Sequence, residues 1–319
     1  MKPSGEKLPQ PFSATIREER GEDGSIILVG PWRSPSNLLK GQSYADHASI
    51  HDDSTAQGLG FRGGTIEGPT HFSQFAPLLQ RAFGVAWFEF GSISVNYKQA
   101  SYEGEQLQAR LIQSAPHYAS ITMVKQDGTV VLIGSAEVGG YREKSDVGQK
   151  LAASRALSEP RILAGCYPGL SAPRVVVRLD LERPSGALYP FSLVEKLKVI
   201  TEPSPWYSGN AHTPWTRAIL PVEMISVLCQ SVADQDPFPI SQPVVGLFAD
   251  QEISVLDGPL YPEVDYELER QILHLSETPK TESMWIRTKI RERATSRLCA
   301  EMLLNQAFLK ASSELYSPQ

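Results

Sequence analysis

The sequence predicts an α+β fold made of two similar units. Three observations carry this. A wide apolar helix pattern follows a long polar connection, and the hydrophobic period then switches to two for several segments. The same order recurs after residue 172. Gly and Pro, 24 each in 319 residues, favour many turns and argue against a helical bundle. This length suits about two domains and can bury a sizeable core without staples.

The elements follow in order. Residues 1–24 are polar and read as an extension draped over the surface. Ser25–Trp32 is a short apolar strand. Residues 33–67, rich in Gly, Ser and Asp, form a long irregular connection, a kind of segment that often carries function. Gly68 caps a helix with Pro69 at its first position, and Phe72, Phe75, Leu78, Leu79, Ala82 and Phe83 make one apolar stripe. Gly84 stops it, and Pro77 should kink or shorten it. Strands follow around Ile93–Tyr97, Leu107–Leu111, Ile121–Val124 and Val130–Val138, the last two joined by an Asp127-Gly128 turn. Residues 141–172 read as a linker with a short helix at Val147–Leu157. In the second unit Val175–Leu181 is a strand, Tyr189–Ile200 is apolar, and a helix starts at Pro221. Strands come at Val244–Val255, Val264–Leu275, Met284–Ile290 and about Ser296–Leu309, the last alternatively helical. Thr65–Pro69 aligns with Ala218–Val222, each preceded by a tyrosine (Tyr44, Tyr207) and a histidine (His51, His212), a weak internal repeat.

Composition excludes several classes. A net charge of −6 sets up no basic field toward nucleic acid or anionic membrane. No 18-residue apolar run occurs, and the first residues lack the apolar core of a signal peptide, so the expectation is a cytoplasmic protein. The three cysteines, Cys166, Cys229 and Cys299, lack CxxC spacing and read as reduced, buried thiols.

The densest polar cluster is Asp46–Asp53, with His47 and His51 inside it and His71 nearby. A carboxylate five residues before an imidazole can place both around one reacting carbon and move protons at neutral pH. Metal binding competes, yet no HxxxH, HExxH or CxxC spacing supports it. Gly58–Gly63 formally spells GxGxxG, but His-Asp-Asp-Ser-Thr-Ala-Gln precedes it in place of an apolar strand, so no dinucleotide cofactor is expected. Glu263, Asp265, Glu267 and Glu269 alternate, as do Arg287, Lys289, Arg291 and Arg293. Two paired strands would set these acids against these bases.

The spacing Asp46-x-x-x-Ile50-His51 resembles the Asp-x-Asn-Pro-Ile/Leu-His motif of MaoC-type (R)-specific enoyl-CoA hydratases and dehydratases. The resemblance continues through Asp53, Ala56-x-x-x-Gly60-Phe61 and Ile66-x-Gly68. Ala48-Ser49 replaces the family's Asn-Pro, and Glu67 stands where the family usually has His. The motif lies in the N-terminal half, whereas related eukaryotic enzymes carry it in the C-terminal half.

The resemblance implies a double hot dog: two curved antiparallel sheets, each wrapping one long central helix. Residues 25–140 would be the unit carrying the site, and 173–319 a unit that has lost its own. By the resemblance Asp46 and His51 are the acid–base pair handling water, and the Gly68 N–H holds the thioester carbonyl. A helix N-terminus independently favours an anion there. Glu67 and His71 are further catalytic candidates; Tyr44, Phe61 and Phe72 are candidates for substrate contact. The implied reaction adds or removes water at an α,β-unsaturated acyl thioester, free or linked to CoA or a carrier protein, with no metal or redox cofactor. A thioesterase, acyltransferase or other lyase using Glu67 and His71, and a non-catalytic acyl-binding pseudo-dimer, are the alternatives. A homodimer is compatible with exposed sheet edges.

Overall fold

The computed structural model describes residues 11–44, 47–140, 145–209, 213–235 and 237–317. Its strands are β1 Arg17–Arg20, β2 Ile26–Arg33, β3 Ser43–Tyr44, β4 His47–Ala48, β5 Gly91–Tyr97, β6 Leu107–Ala115, β7 Tyr118–Lys125, β8 Val130–Val138, β9 Val175–Val177, β10 Gly246–Val255, β11 Tyr266–Glu277, β12 Thr281–Glu292 and β13 Leu298–Leu309. Its α-helices are α1 Asp53–Gly58, α2 Ala76–Phe83, α3 Ala86–Phe90, α4 Asp146–Ala153, α5 Leu193–Val199 and α6 Val222–Gln230.

A separate sheet in each unit was the expectation. Instead, eleven strands make one antiparallel sheet in the order β1-β2-β6-β7-β8-β5-β10-β13-β12-β11-β9. The two halves join where β5 pairs with β10, with Ile93 opposite Ile253 and Val95 opposite Gln251. Pairing satisfies two edges that would otherwise expose free N–H and C=O groups. β3 and β4 form their own small hairpin.

The long central helix of the first unit is also corrected. Gly68–Phe75 is a 3₁₀ segment, and only Ala76–Phe83 is α-helical. Pro77 explains the change. It has no N–H to donate, and its ring would collide with the Ser73 carbonyl of an α-helical turn. The Ala76 N–H bonds the Ser73 carbonyl three residues back instead. The second helix, α6, is only nine residues long and buried throughout. It packs against the 3₁₀ segment, and Phe72, Phe75, Leu78, Met224, Ile225 and Leu228 share one core.

Other differences are local. Arg17–Arg20, within the expected extension, forms the exposed edge strand β1 against β2, because edge pairing needs only backbone groups. Ser296–Leu309 resolves as strand, with Ala300, Met302, Leu304 and Phe308 buried. The acid–base ladder forms: Glu267 opposes Arg291 and Glu269 opposes Lys289. Arg174 adds an ion pair of 3.0 Å to each of the two glutamates. The cysteines are free and buried. Among the described residues no helix is long and apolar enough to cross a membrane.

Candidate active site

The strut Thr65–Gly68 enters the 3₁₀ segment and is held from both sides. Thr65 N–H donates to the Ile50 carbonyl (2.9 Å), and Ile66 N–H to the Ser101 carbonyl (2.8 Å). Gly64 must lack a side chain, because a Cβ there would lie 2.2 Å from the His51 carbonyl oxygen. At Gly68 a Cβ would lie 2.5 Å from Cζ of Tyr97, so a side chain there has to push that ring aside. The loop before the strut is built on carboxylates. Asp52 caps α1 by accepting from Thr55 N–H (2.8 Å), and Asp53 accepts from Gly64 N–H (2.7 Å).

His51 is 9 % exposed. Its Nδ1 lies 2.7 Å from the Thr65 carbonyl oxygen. A carbonyl only accepts, so Nδ1 carries the proton and Nε2 keeps its lone pair. Nε2 has no protein partner among the described residues. Burial pushes the imidazole down to about 4, opposed by the Thr65 hydrogen bond, so His51 is neutral at pH 7 and equipped as a base. Asn37 and Ser49 fix its backbone through bonds of 3.0 and 3.1 Å.

Glu67 precedes the 3₁₀ segment and is 7 % exposed. Burial pushes its carboxyl up to about 7; nearby Lys196 and a hydrogen bond from Tyr189 hold it back, and the Glu223 charge adds to the rise. The Tyr189 hydroxyl donates to Glu67 Oε1 over 2.9 Å. His71 is pushed down to about 3, chiefly by burial and then by Lys196 and Lys125; its Nε2 lies 2.8 Å from Ser101 Oγ. Tyr97 donates to Gln251 Oε1 (3.0 Å), and burial raises its phenol well above the ordinary value. At the helix entrance Pro69 has no N–H, and Thr70 N–H bonds the Glu67 carbonyl (3.1 Å). The Gly68 N–H has no acceptor among the described residues, as expected of a helix start.

A buried ion pair of the second half stands behind this entrance and reaches the first half through Thr70 and Ser73. Lys196 Nζ of α5 lies 2.7 Å from Glu223 Oε2 of α6 and 3.1 Å from Thr70 Oγ1. Ser73 Oγ donates a short hydrogen bond to the other Glu223 oxygen.

The entrance opens onto a cavity of about 750 Å³, within the usual range of small-molecule sites. His51, Glu67, Gly68, His71 and Tyr97 come to its wall from the first half. Tyr189, Leu188, Phe238, Ile240, Phe248 and Phe308 come from the second. Among the described residues no three His, Cys, Asp or Glu side chains converge as a metal site.

No protein-family model and no curated protein sequence matches the chain. Solved structures do. One, provisionally described as a MaoC domain protein dehydratase from Chloroflexus aurantiacus, aligns over 96 % of this chain and 99 % of its own at 11 % identity, TM-score 0.55. Another, a conserved hypothetical protein from Mycobacterium tuberculosis described as having a double hotdog fold, aligns over 95 % of this chain and all of its own, at 10 % identity and TM-score 0.56. The fold is a double hot dog.

Within this double hot dog, the sequence candidates His51, Glu67, Gly68, His71 and Phe61 all line the one cavity. Phe72 does not; it is fully buried in the core, on the packed side of the 3₁₀ segment. Asp46 lies outside the described residues, as does His212 of the internal repeat, and Tyr44 is placed by its backbone in β3. Tyr207, the second tyrosine of the internal repeat, is buried in the core. The GxGxxG stretch starts at Gly58, the last residue of α1, and follows no strand, so it lacks the local order of a dinucleotide loop. Sequence reasoning missed Tyr97, Tyr189 and Lys196. The first sat in a strand pattern and the other two in an apolar run, with no polar motif to mark them.

Proposed function

We propose that the cavity adds water to, or removes it from, an α,β-unsaturated acyl thioester or a related activated carbonyl compound. The observation that carries this is His51: a buried, neutral imidazole whose Nδ1 is engaged by Thr65 and whose Nε2 has no partner among the described residues, in the same cavity as Gly68. In the hydration direction, Nε2 accepts a proton from water as the water oxygen bonds to the β-carbon. The displaced electron pair moves to the thioester oxygen, where the Gly68 N–H and the helix start stabilise the developing enolate. Asp46, protonated at the start, supplies a proton to the α-carbon, and the proton taken up by His51 then passes to Asp46, directly or through water, to reset the pair. Dehydration runs these steps in reverse.

The test is turnover on a panel of enoyl and 3-hydroxyacyl thioesters. Hydration or dehydration of at least one member supports the reading, and none across the panel removes it.

One observation favours a second reading. Glu67, with its carboxyl raised to about 7 and held by Tyr189, is suited to proton transfer in thioester hydrolysis or another lyase reaction. Free thiol release from acyl thioesters, lost in Glu67→Gln and kept in His51→Ala, would select it.

A further inference from the structure

The second-half wall of the cavity is mostly apolar, with Leu188, Ala233, Phe238, Ile240, Phe248 and Phe308. The exposed Asp234 and three amides, Gln230, Gln242 and Gln306, interrupt it, and Gln242 is already engaged, accepting from Val244 N–H (3.1 Å). Gln230, the last residue of α6, is 7 % exposed and lines the cavity. Its side chain makes no hydrogen bond among the described residues, although its own backbone carbonyl is used by Ala233 N–H (3.0 Å). Gln306 of β13 also lines the cavity, half-buried, and its side chain is likewise without a protein partner among the described residues. Opposite Phe308 in the sheet stands Gly246, where a Cβ would come within 3.5 Å of Gln306 Nε2. The glycine places no side chain beside that amide.

We propose that Gln230, assisted by Gln306, is a subsite for a keto or hydroxyl oxygen carried on the substrate's acyl chain. The inference rests on the acyl-thioester reading above and narrows it to oxygenated chains. In the empty cavity, water can satisfy both amides. A plain hydrocarbon chain filling this wall would displace that water and leave the Gln230 amide buried and unpaired, which is costly. A chain oxygen restores the hydrogen bond. The surrounding apolar side chains take the methylenes on either side.

The experiment measures binding and needs no turnover. Saturated medium-chain acyl thioesters of N-acetylcysteamine, with no oxygen on the chain or with one keto or hydroxyl group at successive positions, are titrated calorimetrically into the full-length protein. At least one oxygenated chain should bind about tenfold tighter than the plain chain. Gln230→Leu should abolish that preference and leave plain-chain binding equal or tighter. Gln306→Leu, at a half-buried position, repeats the test should Gln230→Leu fold poorly, and should narrow the preference. Ethyl thioesters, which lack the carrier-like amide, should show the same chain selectivity. The proposal is overturned if plain chains bind as tightly as every oxygenated one, if the preference survives in both variants, or if it vanishes with the ethyl thioesters. Selective binding without turnover keeps the subsite and removes the lyase reading; turnover without selectivity does the opposite.

Discussion

The Tyr189 hydroxyl donates a 2.9 Å hydrogen bond to Glu67 Oε1, across 122 residues of chain. It brings a second-half residue to the mouth of the first-half helix. Burial raises Glu67 to about 7, while Tyr189 and Lys196 favour its charged form. Tyr189→Phe should therefore move the Glu67 titration to still higher pH, and Glu67→Gln should erase it. Carboxyl carbon resonances in ¹³C-glutamate-labelled protein follow this directly. A Glu67 signal titrating in the ordinary carboxylate range would refute the assignment. Stability follows the same sign. The folded state keeps a proton that the unfolded chain releases between about pH 4.5 and 7, so this contribution is full at low pH and lost as pH rises through that window.

The two buried histidines act in the opposite direction. His51 and His71 are neutral when folded down to about pH 4 and 3, whereas an unfolded histidine takes a proton near 6.5. Their contribution is full above pH 6.5 and lost as pH falls toward the folded values, on the order of 3–5 kcal/mol each. Denaturant midpoints should fall between pH 6.5 and 4, and His71→Gln should flatten that dependence. An unchanged acid slope in the variant would contradict it.

Gly64 stands against the His51 carbonyl, a backbone atom that cannot swing away. Gly64→Ala should cost about 1–3 kcal/mol, as overpacking does, and weaken whatever His51 does in the cavity. Thermal unfolding measures the first effect. A variant as stable as wild type would show that the contact relaxes freely.

Lys196 and Glu223 are 3 % and 2 % exposed. Lys196→Met strands a buried carboxylate and should cost about 3–5 kcal/mol. The double variant Lys196→Met with Glu223→Leu should recover much of the loss. A cycle with no coupling would mean that the two buried charges do not stabilise each other.

The sequence showed what local pattern can show. Most strand positions and the Asp127-Gly128 turn were legible from the alternating pattern, and the cluster of His51, Glu67, Gly68 and His71 was legible because a strut of a few residues carries most of it into one cavity. The helix of the first half was legible in place but not in form, since Pro77 could be seen to disturb it without revealing a 3₁₀ geometry. The junction of β5 with β10, and the arrival of Tyr189, Lys196 and Gln230, depend on packing between segments more than 120 residues apart. The capping box Ser192–Glu195 was a readable start for α5, concealed by the apolar run around it.

The most direct measurement is turnover of Asp46→Asn and His51→Ala on an enoyl or 3-hydroxyacyl thioester that the wild-type protein converts, with folding confirmed by thermal unfolding. The account expects each folded variant to lose about 10²-fold or more. Full turnover in both folded variants would contradict it.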